Sequence, residues 1–216
     1  MFNYKVGELV GLRSMIMNVN DDIKRMLRNS DFSPNFLDNL LNAKFLAVQQ
    51  VDSKIVGAAF VGGVMNTYGI EISENFQGRG LWKKLYDEIL RECKNRKISF
   101  LMGTFKPDNL ISIKIHMKLG FIPVFTFHYN KTEGREIVII LPIGRKGRLL
   151  KNFLRIFDTR TGNCILVILL LIMRPFLRHI IAYSNDVMPS VDFWYSVCNF
   201  EKINVFLNEI DVRSNN

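Results

Sequence analysis

The chain has 216 residues and a mass of 25.1 kDa, enough for one domain with an extension or for two small domains. Its apolar content of 48% supplies a packed core and excludes disorder, and the formal net charge is +9. Three cysteines without close spacing, Cys93, Cys164 and Cys198, point away from a disulfide framework and from a zinc or other metal site. No signal-peptide layout opens the chain and no apolar run reaches the span of a membrane helix, so a cytoplasmic protein with reduced thiols is expected.

Asn20-Asp21-Asp22 can cap a helix running to about residue 29, with Ile23, Met26 and Leu27 on one face. Ser33-Pro34 starts a second, short helix in which Phe36, Leu37, Leu40 and Leu41 share a side. Residues 45–50 and 54–63 read as strands joined by the tight turn Val51-Asp52-Ser53, and 64–72 as a third strand. That strand leads into Gln77-Gly78-Arg79-Gly80-Leu81. Two glycines at a strand-to-helix junction let the backbone turn sharply and bare several N–H groups, a combination that suits phosphate. The helix that follows gathers Leu81, Leu85 and Ile89, widened by Trp82, Tyr86 and Cys93; Asp87–Arg91 and Glu92–Arg96 are favourable pairs opposite. Residues 99–104 form a buried strand, and Lys106-Pro107-Asp108-Asn109 a turn and helix start.

Residues 111–119 alternate apolar and polar, the period of a strand, yet a helix also collects Ile111, Ile115 and Leu119 on one face. Asp108 or Asn109 can cap such a helix and Gly120-Phe121 close it, so the residues alone leave strand and helix open. A hairpin follows, 126–129 and 136–141, joined through Lys131-Thr132-Glu133-Gly134.

The order strand, Q-G-R-G-L, helix, strand, then Asn109-x-x-Ser112-x-x-x-His116-x-x-x-Gly120-Phe121, resembles the GNAT family of N-acetyltransferases over residues 9–141. Gln77 and Gly80 fill the first two fixed positions of the family's loop pattern, and Trp82 stands at the third, where the family prefers Gly or Ala. The resemblance implies an α/β (α+β) fold with a central mixed sheet flanked by helices, and makes the segment from Asn109 to Leu119 a helix. It places an acyl-CoA-binding catalytic domain at 1–142 and a helical C-terminal extension at 143–216.

The resemblance further implies that acetyl-CoA is the co-substrate, bound where the strand before the loop and the strand after its helix splay apart. The N–H groups of Gly78, Gly80 and Leu81 are then expected to hold the pyrophosphate, with Gln77 and Trp82 in the same loop. Arg79 belongs beside the phosphates, or is simply an exposed loop arginine. Backbone at Ile72 is expected to pair with the pantetheine arm, and Asn109 to touch that arm or merely to cap its helix. His116 occupies the place where the family usually has a tyrosine acid; its ordinary pKa permits either acid or base, and the alternative is a surface histidine on a basic helix. Glu71 is the candidate base, acting directly or through a water, or else a strand glutamate in solvent. Tyr68 and Tyr129 are candidates for lining the acceptor site, or core aromatics.

The last third adds something to a minimal domain of this kind. From 144 to 182 there are eight cations against one anion, Asp158. Leu149, Leu150, Phe153, Leu154 and Phe157 share a helical face, and 164–173 is wholly apolar, too short to span a bilayer. These helices either cap the sheet, pair two copies in a homodimer, or lie on a membrane surface. Phe193-Trp194-Tyr195 is expected to anchor the C-terminal segment, beyond Tyr183, in the core, with residues 214–216 frayed. The expected function is acyl transfer from acetyl-CoA to an amine of a small molecule, amino sugar or peptide. The alternative is an inactive module using its basic helices on a membrane or an acidic partner, with Trp82 in its favour. No aromatic and basic interleaving supports a nucleic acid.

Overall fold

A two-residue turn organises the first half of the chain. Asp52 and Ser53 take left-handed backbone angles, φ 48° and 67°, whose twist suits a tight hairpin. They join β2 (Ala43–Val51) to β3 (Lys54–Gly62), antiparallel and largely buried. The computed structural model describes residues 13–17, 25, 27, 30–40, 43–130, 134–176, 179–180 and 193–214. They fall into two units, of which the first comprises Met1–Ile98 and Arg178–Val187. Here β1 (Arg13–Met17) pairs with β2, and β4 (Thr67–Ile72) with β3, in the antiparallel order β1-β2-β3-β4. The strand expected from residue 64 starts at Thr67 because Gly63 and Asn66 turn the chain at φ 62° and 50°.

α1 (Pro34–Asn39) begins at Ser33, whose Oγ accepts a hydrogen bond from Phe36 N at 3.3 Å. It brings Phe36 into a cluster with Leu27, Phe32, Leu46, Val48 and Phe60. α2 (Leu81–Asn95) packs Leu85, Ile89 and Cys93, all fully buried, on β2 and β3. Glu92 and Arg96 pair at 2.6 Å as expected, whereas Arg91 turns to Glu88 at 3.0 Å instead of Asp87. The helix expected over 20–29 lies mostly outside the described residues; Arg25 and Leu27 within it are helical.

The second unit comprises Ser99–Leu177 and Met188–Asn216. The sequence suggested a boundary at 142/143; in this unit β5 (Phe100–Phe105), β6 (Ile122–Asn130) and β7 (Gly134–Pro142) share a body with the C-terminal helices. The strands run antiparallel in the order β5-β7-β6, and the hairpin strands extend beyond 126–129 and 136–141. Turn residues 131–133 lie outside the described residues. α3 (Leu110–Lys118) precedes β6, confirming helix over the strand-like alternation. After β7 come α4 (Arg145–Leu154), a 3-10 turn at Arg155–Asp158, α5 (Arg160–Met173) and a second 3-10 turn at Arg174–Phe176. α6 (Phe193–Cys198) and α7 (Ile203–Ser214) pack on β6.

The extension caps its sheet with part of its apolar surface. Leu154 and Phe157 join Val124, Phe125, Val138 and Ile140 in one core. Leu149 and Phe153, on the helical face they share with Leu154 in sequence, are 63% and 55% exposed. Of the expected aromatic anchor, Tyr195 meets the His128 ring edge-on at 5.4 Å while Trp194 is 74% exposed; beside them Ser196 is buried and its hydroxyl donates to His128 O. Asp158 Oδ1 accepts from Ile203 N at 2.7 Å, which ties α7 to the turn before α5. Residues 181–192 and 215–216 lie outside the described residues.

Candidate active site

β4 ends at Ile72, whose carbonyl accepts a hydrogen bond from Gln77 Nε2 at 3.1 Å. A single 3-10 turn, Glu74–Phe76, fills the space between them. Gly78 and Gly80 both sit at φ 73°, a left-handed conformation that side chains resist. Gly80 is the N-cap of α2, and its carbonyl accepts from Lys83 N at 3.2 Å. The other N–H groups of this first turn have no partner within the helix and carry the positive end of its dipole. No acidic side chain occupies that turn. Leu81 is buried and pins the helix start, Trp82 is half-buried, and the exposed Arg79 guanidinium lies 5.3 Å from the centre of the Phe76 ring. The donors and the absence of acid in the turn fit a phosphate group.

Glu71 faces away from its apolar neighbours and is fully engaged. Its Oε1 accepts from Ser33 N at 2.6 Å and its Oε2 from Ser33 Oγ at 2.7 Å. Since Ser33 Oγ itself receives Phe36 N, the carboxylate extends the cap of α1. Sequence reasoning missed this partner: Ser33-Pro34 announced a helix start, but nothing in the chain linked it to a strand residue 38 positions away. Tyr68 is buried, with its ring edge-on to Tyr86 at 6.4 Å. Burial first, then Tyr86 and Cys93, raises its phenol above the ordinary value. Burial likewise pushes the Cys93 thiol up to about 12, so it stays protonated and unreactive.

In the second unit, α3 carries the other signature. Asn109 Oδ1 accepts from Ser112 N at 3.2 Å and so caps the helix. The far end closes with Phe121 N donating to His116 O and Gly120 N to Met117 O, both at 3.0 Å, and Gly120 at φ 90°. This pair of crossed bonds needs a left-handed residue after the last turn, which explains the glycine and its spacing from His116.

His116 is not a surface residue. It is 5% exposed, with Phe105 and Phe121 at centroid distances of 4.6 and 5.2 Å. Its Nδ1 lies 2.8 Å from Ser112 O. A carbonyl only accepts, so Nδ1 carries the proton and, in the neutral ring, Nε2 is the basic atom. Burial drives its pKa below the ordinary value, and the bond to Ser112 opposes that more weakly. The ring is therefore neutral at neutral pH and suited to accepting a proton. The aromatic pair around it had no sequence signal beyond Gly120-Phe121. Tyr129 is the penultimate residue of β6, and its side chain lies outside the described ones.

A family model for the acetyltransferase (GNAT) family matches residues 15–121. No protein of curated function matches the sequence. Among solved structures, the ribosomal-protein-S18-alanine N-acetyltransferase from Escherichia coli is similar at a TM-score of 0.50 and 18% identity, covering 61% of this chain and 95% of that one. Ard1 from Thermoplasma volcanium is similar at a TM-score of 0.50 and 14% identity, covering 60% of this chain and 97% of that one. These likenesses show the fold: the mixed sheet flanked by helices that the sequence led us to expect, with the C-terminal helices added to it.

Proposed function

The chain belongs to the acetyltransferase (GNAT) family through residues 15–121, and we propose that it carries acetyl from acetyl-CoA to an amine of a small molecule, amino sugar or peptide. The observation that carries this reading is the loop from Gln77 to Gly80, where two left-handed glycines open α2 onto unshielded N–H donors. Bound acetyl-CoA supplies a thioester acyl group and a pyrophosphate. Gly78, Gly80 and Leu81 N–H hold the pyrophosphate, with Arg79 and Trp82 flanking it, and Gln77 fixes the loop through Ile72. Backbone at Ile72 takes the pantetheine amides as a further strand would.

His116 performs the proton transfer. Its Nε2 takes a proton from the acceptor nitrogen as the C–N bond forms, and returns it to the thiolate as the C–S bond breaks. No net proton is consumed. Glu71 positions α1 through Ser33 and does not itself take the amine proton. The reduced, buried thiol of Cys93 suits the cytoplasm, where acetyl-CoA is at hand.

Calorimetric titration with acetyl-CoA and with CoA tests the reading. Low-micromolar binding by the native chain and its loss in Gly80→Arg are expected. Failure of both ligands to bind the native chain would leave the non-enzymatic module, with Trp82 obstructing the loop, as the better account.

A further inference from the structure

α5 is apolar on more than one side. The face it turns to its own protein begins small and polar, with Gly162 buried and Asn163 Nδ2 donating to Thr126 O at 2.8 Å, and continues apolar through the packed Leu166 and the buried Val167. A side chain at Gly162 would place its Cβ 2.0 Å from Ile156 O, so the helix start is pressed against the backbone of the turn before it. The stripe at i, i+3, i+4 and i+7 on the outer side, Ile165, Ile168, Leu169 and Ile172, is 42% to 65% exposed. Leu149 and Phe153 on α4, and Ile156 and Phe176 in the flanking 3-10 turns, are exposed as well. An apolar helical stripe of this kind, exposed to water, marks an interaction site.

We propose that this surface docks the protein on an anionic lipid bilayer. Residues 145–176 carry seven cations, and the exposed ones include Arg145, Lys146 and Arg148 on α4 and Arg160 and Arg174 at the two ends of α5. The lone acid of the segment, Asp158, is already engaged by Ile203 N. A second copy of the chain is therefore a poor occupant, because a two-fold contact would bring like charges together with no carboxylate to pair them. Anionic headgroups supply the missing countercharge, and the acyl boundary takes the apolar stripe. Among the described residues no single helix is long and apolar enough to cross a membrane, and α4 and α5 with their 3-10 turns meet at 105°. A helix of 14 residues is about 21 Å long, so α5 lies in the interface and does not span it.

The proposal does not depend on acyl transfer, and its test needs no acceptor. The full chain is sedimented with vesicles of phosphatidylcholine containing phosphatidylglycerol, and with phosphatidylcholine alone. The native chain is expected to pellet with the anionic vesicles, and to be released as salt rises from about 0.1 M to about 1 M and the screening length shrinks. Each cation at such a surface is worth about a fivefold change in partitioning, so Arg145→Gln with Arg148→Gln lowers binding about 25-fold. Ile168→Glu with Ile172→Glu abolishes it while the melting temperature stays that of the native chain, since both side chains are exposed. Native protein that stays in the supernatant with anionic vesicles overturns the proposal. So does a native dimer in light scattering that the double glutamate variant converts to monomer, which would assign the face to a second copy.

Discussion

Glu71 stands between two roles that respond oppositely to substitution. Glu71→Ala strips Ser33 of both its carboxylate contacts, at 2.6 and 2.7 Å, and loosens the start of α1. A helix cap is worth about 1 kcal/mol, and a bond to a charged acceptor about 1.5–3 kcal/mol where water is excluded. Ser33 is exposed and Glu71 half-buried, so water re-satisfies the freed N–H and the low end governs, about 1–2 kcal/mol. For a chain of this length each kcal/mol moves Tm by about 2–4 °C, giving a fall of about 2–8 °C by scanning calorimetry. Glu71→Gln keeps one acceptor and loses less than half of that. Ser33→Ala should show a coupling with Glu71→Ala of about 0.5–1 kcal/mol, because each substitution removes the same contact. A general base behaves otherwise: Glu71→Gln would cut kcat by about 10²–10⁴ with Tm unmoved. That outcome, measured on any amine found to be acetylated, would refute the capping argument. A fall of under about 1 °C in Glu71→Ala would refute it from the other side.

Two further expectations rest on packing and on burial. At Gly147 a Cβ would meet Ser99 O at 2.1 Å and Pro142 Cα at 3.1 Å, both backbone atoms that cannot rotate aside. Gly147→Ala should therefore cost about 3 kcal/mol and about 6–12 °C in Tm, against almost nothing for the neighbouring exposed Arg148→Ala. For His116 the folded pKa lies below the unfolded value of about 6.5, so the ring is neutral in both states above that pH and its burial costs no charge there. As pH falls below about 6.5 the unfolded chain binds the proton first, and stability drops by up to about 1.4 kcal/mol per pH unit until the folded pKa is reached. Urea midpoints across that window should show His116→Gln losing less stability on acidification than the native chain; a difference that does not change with pH contradicts the burial argument.

The glycine loop and α2 were legible because their signals are local. Left-handed angles at Gly78 and Gly80 need glycine, and the Leu81, Leu85, Ile89, Cys93 stripe has no second way to pack. α3 was harder. Its apolar residues alternate like a strand's, and the decision rested on the family resemblance; Asn109 and Gly120 do fix both helix ends through a side-chain cap and a left-handed closure. What sequence could not supply was the partner at long range. Glu71 looked like a lone strand carboxylate until Ser33 met it, and His116 looked exposed between Lys114 and Lys118 until Phe105 and Phe121 closed over its ring.

The C-terminal helices carry a different lesson. Helical period says which residues share a face, but not which face turns inward. On α2 the apolar face is also the only one that fits the sheet, so the default held. On α5 the choice falls to close approach: Gly162 lets the helix touch the Ile156 carbonyl, and Asn163 finds Thr126 O. Those two contacts set the rotation of the helix about its axis. Once it is set, Ile165, Ile168, Leu169 and Ile172 have nowhere to go but outward. At 42% to 65% exposure each of these side chains forgoes about half the value of full burial, roughly 1 kcal/mol, and the four together outweigh one hydrogen bond to a carbonyl, so an apolar phase that takes up the stripe adds to the stability of the arrangement.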